Sequence, residues 1–283
     1  MYKIISNKKL AENIHEMIIE APRVAHSAKP GQFIILIIDK KGERIPLTIA
    51  DYDKEKGTVN IVVQAIGYST KKLVSLKENE YIKDFAGPLG NESEFVHEDI
   101  EILKNKRIVF VGGGVGSAPI YPQVKWFSER NIKTDVILGF KNKDFIILKE
   151  EFEKLNCNLH ICTDDGSYGF KGLVTNKLQD MLDNEEIDEV ITIGPMIMMK
   201  FVSKLTKKYN IKTIASLNTI MLDGTGMCGG CRVSIGGKVK FTCVDGPEFD
   251  AHLINFDEAM NRQTTFSDIE KKHSCRLDGA ING

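Results

Sequence analysis

The 283-residue chain balances 38 Lys and Arg against 39 Asp and Glu, and 42% of it is hydrophobic and 27% charged. That is an ordinary globular composition, long enough for about two domains. Near neutrality removes the electrostatic case for nucleic acid or an anionic membrane surface as partner.

The longest strongly apolar run, FIILII at 33–38, has the length of a buried strand and falls far short of a membrane span. The N-terminus, MYKIISNKKLAENIHEM, lacks the apolar core of a signal peptide, so a cytoplasmic protein is expected. In a reducing compartment its six cysteines are expected as ligands or buried thiols, not disulfides.

Residues 1–98 read as β-rich. GQFIILIID, RIPLTIADYD and GTVNIVVQAIG are β-branched runs parted by Gly and Lys/Asp turns, and a small antiparallel barrel packs such strands while removing edges. From residue 99 to 210 the texture changes. RIVFVGGGVGSAP is a strand, a glycine turn and a helix start; KTDVILGF, NLHICTDDG and EVITIGP are further strands; KEEFEKL, KGLVTNKLQDML and MIMMKFVSKLTKKY are helices. Such alternation predicts a parallel sheet with right-handed crossovers. Residues 211–250 return to short strands and glycine turns around cysteines. The tail, 251–283, carries INFDEAMNRQ, expected as a short helix before a fraying end.

The cysteines of the third region have a pattern: Asp223-x4-Cys228-x2-Cys231-x11-Cys243. The plant-type [2Fe–2S] pattern is C-x4-C-x2-C with a distant fourth cysteine, and it fits if Asp223 takes the first position. Glycines at 224, 226, 229 and 230 suit a loop that turns tightly and aims amides at sulfur. The rival readings are a zinc site of three cysteines and one aspartate, though only one C-x2-C knuckle is present, and a glycine loop with incidental thiols. Cys157 and Cys162 read as small buried hydrophobes, and Cys275 as a free thiol without a role.

VFVGGGVGSAP at 109–119 follows a strand and opens a helix. Glycines there serve either the turn alone or a pyrophosphate held on helix N-terminal amides. The spacing Gly112-x-Gly114-x-Gly116 departs from G-x-G-x-x-G. CTDDGSYGFKG and TIGPMIMMK follow later strands, and ligands in open α/β sheets bind beyond the carboxyl ends of strands, so the three loops can converge. ERIPLTIAD at 43–51 sets an arginine near a hydroxyl residue around a proline; it is either a phosphate-pairing segment or an edge strand with a surface arginine. GYST at 67–70 is either a helix N-cap or a phosphate cradle.

In order, PGQF, R-x-P-L-T, GYST, GPLG, GGGVGSAP, TDDGSYGFKG, GPMIMMK and the cysteine loop resemble the ferredoxin-reductase-type flavoproteins of the dihydroorotate dehydrogenase electron-transfer subunit group, over roughly residues 1–250. The resemblance implies a β-barrel flavin domain, an α/β parallel-sheet nucleotide domain and a small C-terminal iron–sulfur subdomain. It implies FAD contacts at Arg44, Pro46, Leu47, Thr48 and Val63, with the FAD phosphates at Gly67, Ser69 and Thr70. It places NAD(H) at Gly113, Gly114, Val115 and Gly116, with Asp165, Gly194 and Pro195 beside it. Lys141 would suit a 2′-phosphate and Asp144 a free ribose, and the family tips that choice to NAD.

Most members of the group have four cysteine ligands. Asp223 makes the chain similar to the small subunits of NADH-dependent reduced ferredoxin:NADP oxidoreductases and of sulfide dehydrogenases, whose [2Fe–2S] cluster has three cysteines and one aspartate. That implies ligands Asp223, Cys228, Cys231 and Cys243, and a large partner subunit with a second FAD and [4Fe–4S] clusters. It implies hydride exchange between NAD(H) and FAD, then single electrons through the cluster, in an electron-bifurcating enzyme of NADH, NADPH and ferredoxin. No catalytic side chain is expected, because the flavin carries that chemistry. The alternatives are an electron-transfer subunit for dihydroorotate or sulfide oxidation, and a cluster-bearing adaptor without nucleotide turnover of its own.

Overall fold

Runs in which buried and less buried residues alternate make the first ninety residues antiparallel strands. In the computed structural model, which describes residues 1–265, these are β1 (Tyr2–Ala11), β2 (Ile14–Glu20), β3 (Phe33–Ile37), β4 (Arg44–Asp53), β5 (Thr58–Gln64), β6 (Tyr81–Ile82) and β7 (Asp84–Leu89). They form one sheet in the order β6-β1-β2-β5-β4-β3-β7. The two outer strands are consecutive in the chain, with only Lys83 between them, so the sheet rolls into a nearly closed barrel with no long free edge. Its interior is filled by Ile4, Met17, Ile19, Ile34, Leu36, Ile49, Ile61 and Val63, all buried. Two short helices interrupt the strands, α1 (Pro22–Ser27) and α2 (Tyr68–Ser75).

A linker helix, α3 (Ile100–Lys104), leads into the second layer: β8 (Ile108–Gly113), α4 (Ser117–Ser128), β9 (Thr134–Phe140), α5 (Lys149–Glu153), β10 (Cys157–Thr163), β11 (Phe170–Lys171), α6 (Val174–Asn184), β12 (Glu189–Ile193), α7 (Met196–Lys208) and β13 (Lys212–Ser216). The order is β11-β10-β9-β8-β12-β13, all parallel. β8 and β12 are buried at every residue, which is why they read as unbroken apolar runs. The chain winds one way from β8 to β10 and the other way from β12 to β13. The switch point therefore lies between β8 and β12.

β13 differs from the sequence expectation. Residues 211–250 read as a separate third region, yet Lys212–Ser216 is a strand of the parallel sheet. The expected boundary at 210/211 thus falls ahead of a sheet strand. No helix follows β13, so the strand–helix alternation that marked its neighbours is missing there.

The remaining elements are β14 (Arg232–Ile235), β15 (Lys238–Phe241), α8 (Thr242–Asp245), β16 (Glu248–Asp250) and α9 (Phe256–Gln263). β16 caps the sheet antiparallel to β13, and α9 lies within the INFDEAMNRQ stretch. β14 and β15 form a hairpin in which Ile235 faces Lys238. Its two turn residues, Gly236 and Gly237, have φ of 56° and 77°. Both central residues of a type I′ turn need positive φ, which glycine adopts without strain.

One apolar cluster runs from the barrel into the second layer, joining Ala11, Ile14, Ala50 and Val62 to Phe110, Ala118, Trp126 and Phe127. Lys125 on α4 adds an ion pair to Asp51 on β4 at 2.8 Å. Among the described residues no helix is long and apolar enough to cross a membrane. Cys275 lies outside the described residues.

Candidate functional site

A cleft of about 650 Å³ opens between barrel and parallel sheet. The barrel supplies Pro46, Leu47 and Thr48 from β4 and Val62 and Gln64 from β5. The opposite wall is the switch point, with Gly113, Gly114, Val115 and Gly116 after β8 and Gly194 and Pro195 after β12. Nine expected site residues thus meet in one cavity, where an open α/β sheet binds ligands. Phe140 at the end of β9 and Lys141 and Phe145 beyond it line the cleft, and Asp144 does not.

The glycines of this turn differ in what surrounds them. A Cβ on Gly116 would lie 2.3 Å from the Ile193 carbonyl oxygen, so this glycine lets the β8 and β12 loops touch. Gly114, at φ +55°, has nothing within 4 Å of such a Cβ. Its backbone borders open cleft, and helix α4 begins three residues later with its free amides. Gly116 therefore serves the fold, and Gly114 is the position at which a ligand can approach the backbone.

The other expected cofactor residues lie off this wall. Arg44 is exposed at the start of β4. The Val63 side chain points into the barrel core; its neighbours Val62 and Gln64 face the cleft. Gly67, Ser69 and Thr70 sit at the start of α2. There Thr70 Oγ1 accepts from the Ile66 and Gly67 amides at 3.0 and 3.1 Å, and Ser69 donates to Glu43. This start is both N-cap and exposed turn. Asp165 is exposed in the β10–β11 turn, where its carboxylate accepts from the Ser167 hydroxyl and amide, which hold its pKa below the ordinary value.

Sequence reading missed one complete wall. Ser216 at the end of β13 and Leu217, Asn218, Thr219 and Met221 beyond it line the cleft, as does Phe33 on β3. The signal was available in principle, since residues after a parallel strand point to the ligand side, but it required β13 to be recognised. Thr219 Oγ1 is buried and has no hydrogen-bond partner among the described residues.

Behind this wall lie the thiols. Cys231 and Cys243 are both 2% exposed, with their sulfurs 3.3 Å apart. Cys231 immediately precedes β14 and Cys243 lies just beyond β15, so the hairpin brings them together. They pack with Phe33, Ile35 and Met221. Phe33 and Met221 therefore belong both to the cleft lining and to the cluster that buries the sulfur pair.

Asp223 and Cys228 form a second, exposed pair. The Asp223 carboxylate accepts from the Thr225 and Cys228 amides at 2.8 Å each, and Cys228 Sγ accepts from Gly230 N at 3.4 Å. Among the described residues no three His, Cys, Asp or Glu side chains converge as a metal site. The structure thus unites Cys231 with Cys243 and links Asp223 to Cys228 through the backbone, without closing all four on one point.

The donor set nonetheless fits an iron–sulfur group. Two sulfurs on one tetrahedral metal, with bonds of about 2.3 Å, lie about 3.7 Å apart, close to the spacing found. Burial, and then the Cys231 sulfur, push the Cys243 thiol pKa up. A bound cation reverses that balance, because coordination deprotonates thiols. Cys157 and Cys162 contrast with this pair. Burial pushes each up to about 11 and they sit on β10 away from the loop, so both are packing residues, as expected.

Barrel, switch-point cleft and thiol loop together define a ferredoxin-reductase-like oxidoreductase subunit with NAD-binding and iron–sulfur-binding regions. Residues 110–204 match the oxidoreductase NAD-binding domain, and 218–255 match the iron–sulfur cluster binding domain of dihydroorotate dehydrogenase B. The chain belongs to the family of dihydroorotate dehydrogenase B electron-transfer subunits. It is 40% identical to a Thermotoga maritima homologue of that subunit, over 95% of this chain and 93% of the relative. An uncharacterised Clostridium beijerinckii protein is 60% identical over 98% and 95% of the two chains. Among solved structures, a chain of an NADH-dependent reduced ferredoxin-NADP oxidoreductase superposes with a TM-score of 0.90 at 38% identity, over 98% of both chains.

Proposed function

We propose that this chain exchanges hydride between NAD(H) and FAD in the cleft and passes single electrons through a [2Fe–2S] cluster to a large partner subunit. The complex would be an electron-bifurcating oxidoreductase of NADH, NADPH and ferredoxin. FAD takes up two electrons together and releases them singly, and the cluster carries one at a time.

The observation that carries the reading is the shared wall. Phe33 and Met221 line the cleft and belong to the apolar cluster that buries the sulfur pair, which would set the two cofactor sites on either side of one layer of side chains. Gly114 and the start of α4 would receive the pyrophosphate of NAD(H). Pro46, Leu47 and Thr48 would hold the flavin ring against the barrel, and Thr219, whose hydroxyl has no partner among the described residues, would face it from the opposite side. Arg44, Gly67, Ser69 and Thr70 stand on the barrel exterior, where an extended dinucleotide tail would reach them. Asp223, Cys228, Cys231 and Cys243 would hold the cluster, which requires the loop to bring the Asp223–Cys228 pair onto the Cys231–Cys243 pair; each Asp223 oxygen keeps a lone pair beside the amide bond it accepts.

The bifurcating assignment is supported by Asp223 and by the end-to-end likeness to the NADH-dependent reduced ferredoxin-NADP oxidoreductase chain. The names of several relatives favour a second reading, the electron-transfer subunit of a dihydroorotate dehydrogenase. The partner that co-purifies with the chain separates the two.

Anaerobic stopped-flow mixing with NADH tests the core of the reading. The flavin absorbance should bleach and a reduced-cluster EPR signal should follow. Intact FAD that does not bleach would leave an adaptor without nucleotide turnover. Asp223→Cys should keep a cluster while altering its EPR spectrum; an unaltered spectrum would return Asp223 to a turn role.

A further inference from the structure

The last two residues of α9 reach toward different sites. Arg262 Nη2 donates to the Gly230 carbonyl oxygen at 3.0 Å, and Gly230 lies between Cys228 and Cys231. Gln263 Nε2 donates to the Asn218 backbone oxygen at 3.0 Å and to its Oδ1 at 3.3 Å. Asn218 lines the cleft. One end of one helix therefore grips the sulfur loop with one residue and the cleft wall with the next.

The helix is itself well anchored. Phe256 and Ala259 are buried in one apolar cluster with Met199, Leu217 and Val233. Asn255 caps the N-terminus by accepting from the Glu258 amide at 3.1 Å, and Asp257 pairs with Lys200 on α7. The grip is thus referred to the parallel sheet through α7, and to the hairpin through Val233.

We infer that Arg262 and Gln263 are positioning residues that lock the ligand loop and the cleft wall to one helix, with Arg262 lending the loop a fixed positive charge. This rests on the reading of the loop as the iron–sulfur site. The segment 223–231 contains no basic residue of its own, and a guanidinium stays charged at every accessible pH. Reduction adds negative charge to a cluster, and net charge and hydrogen bonding around it set its potential. A fixed cation at Gly230 therefore favours the reduced form. Gln263 acts on the other side, holding Asn218 and with it the wall that ends at Met221.

The test uses the full chain as wild type, Arg262→Gln, Arg262→Lys and Gln263→Ala, each with its iron content measured. In EPR-monitored redox titrations, Arg262→Gln should lower the cluster midpoint potential, Arg262→Lys should restore most of it, and the flavin midpoint should stay put. Gln263→Ala should leave the cluster potential in place and slow flavin-to-cluster transfer after NADH mixing. Amide hydrogen exchange across 228–231 should accelerate in Arg262→Gln and not in Gln263→Ala. Loss of iron in Arg262→Gln with its return in Arg262→Lys would also support the grip. An iron-loaded Arg262→Gln with unchanged potential and exchange would overturn the inference and leave the functional reading standing. A wild-type chain that takes up no iron would sink both.

Discussion

At the amino end of the parallel sheet, Asp135 on β9 accepts from Arg107 Nε and Asn158 Nδ2, each at 2.9 Å, with His160 alongside. Burial works against its charge, yet hydrogen bonds from His160, Asn158 and Arg107 outweigh it and hold the carboxyl down at about 2. At the carboxyl end, Glu248 opens β16 opposite Ser216. Its Oε1 accepts from Ser93 and Gln123, each at 2.9 Å, but among the described residues no cation pairs with it, and burial pushes the carboxyl up to about 7. The amino end is a closed ion network, extended by Lys212 and Lys106 on Glu189. The carboxyl end is built mainly of glycines, neutral donors and open space, with Lys141 the charged side chain among the residues lining the cleft. One end is organised for stability and the other for a ligand, which is the division that an open α/β sheet imposes.

The sharpest way to break this comparison is at the glycines. Gly116→Ala should cost about 3 kcal/mol or more, because its Cβ would overlap a backbone carbonyl that cannot move without parting two sheet loops. Urea denaturation measures it. A near-neutral result would mean that the β8 and β12 loops are not in contact.

Next in size is the pH dependence of Glu248. Its folded pKa is raised above the ordinary 4.5, so the folded chain holds an extra proton between those values and stability falls as pH rises from about 4.5 through 7, by about 3 kcal/mol. Glu248→Gln, which keeps an oxygen for Ser93 and Gln123, should flatten that slope. Asp135 has the opposite sign. Its folded pKa is lowered, so its contribution is complete above pH 4 and is lost as pH falls toward 2. Asp135→Ala should cost about 2 kcal/mol at neutral pH and leave NADH affinity unchanged.

The smallest stability effect belongs to Gly114→Ala, about 1 kcal/mol for a left-handed alanine. Its NADH affinity should nevertheless fall about tenfold, equivalent to about 1.4 kcal/mol. Isothermal titration beside a melting curve would show whether binding and stability separate in this way. Equal losses in both would erase the distinction between the two ends.

Much of this division was legible in the sequence. β-branched runs located the barrel strands, strand–helix alternation located β8 to β12, and the spacing of Asp223, Cys228, Cys231 and Cys243 singled out the loop. What escaped had physical causes. Within β5, Thr58, Asn60 and Gln64 share one face and Val59, Ile61 and Val63 the other, so alternation itself turns Val63 inward; its place in the site came from the resemblance, which carried no such phase. β13 lacked a following helix, and with it went the wall from Ser216 to Met221. The contacts of Arg262, Gln263 and Glu248 join residues 32 or more positions apart, and no local pattern encodes such pairs.

The Gly236–Gly237 turn has a consequence of a different kind. Surface turns ordinarily tolerate changes in length, yet this one sets the count of residues between Cys231 and Cys243. With Arg232 opposite Phe241, both thiols leave the hairpin at the same end. One residue inserted at the tip would move one arm by a single place, turning its side chains to the other face and carrying one sulfur away from its partner. A turn at the opposite end of the hairpin from both sulfurs thus works as a ruler for the spacing between them.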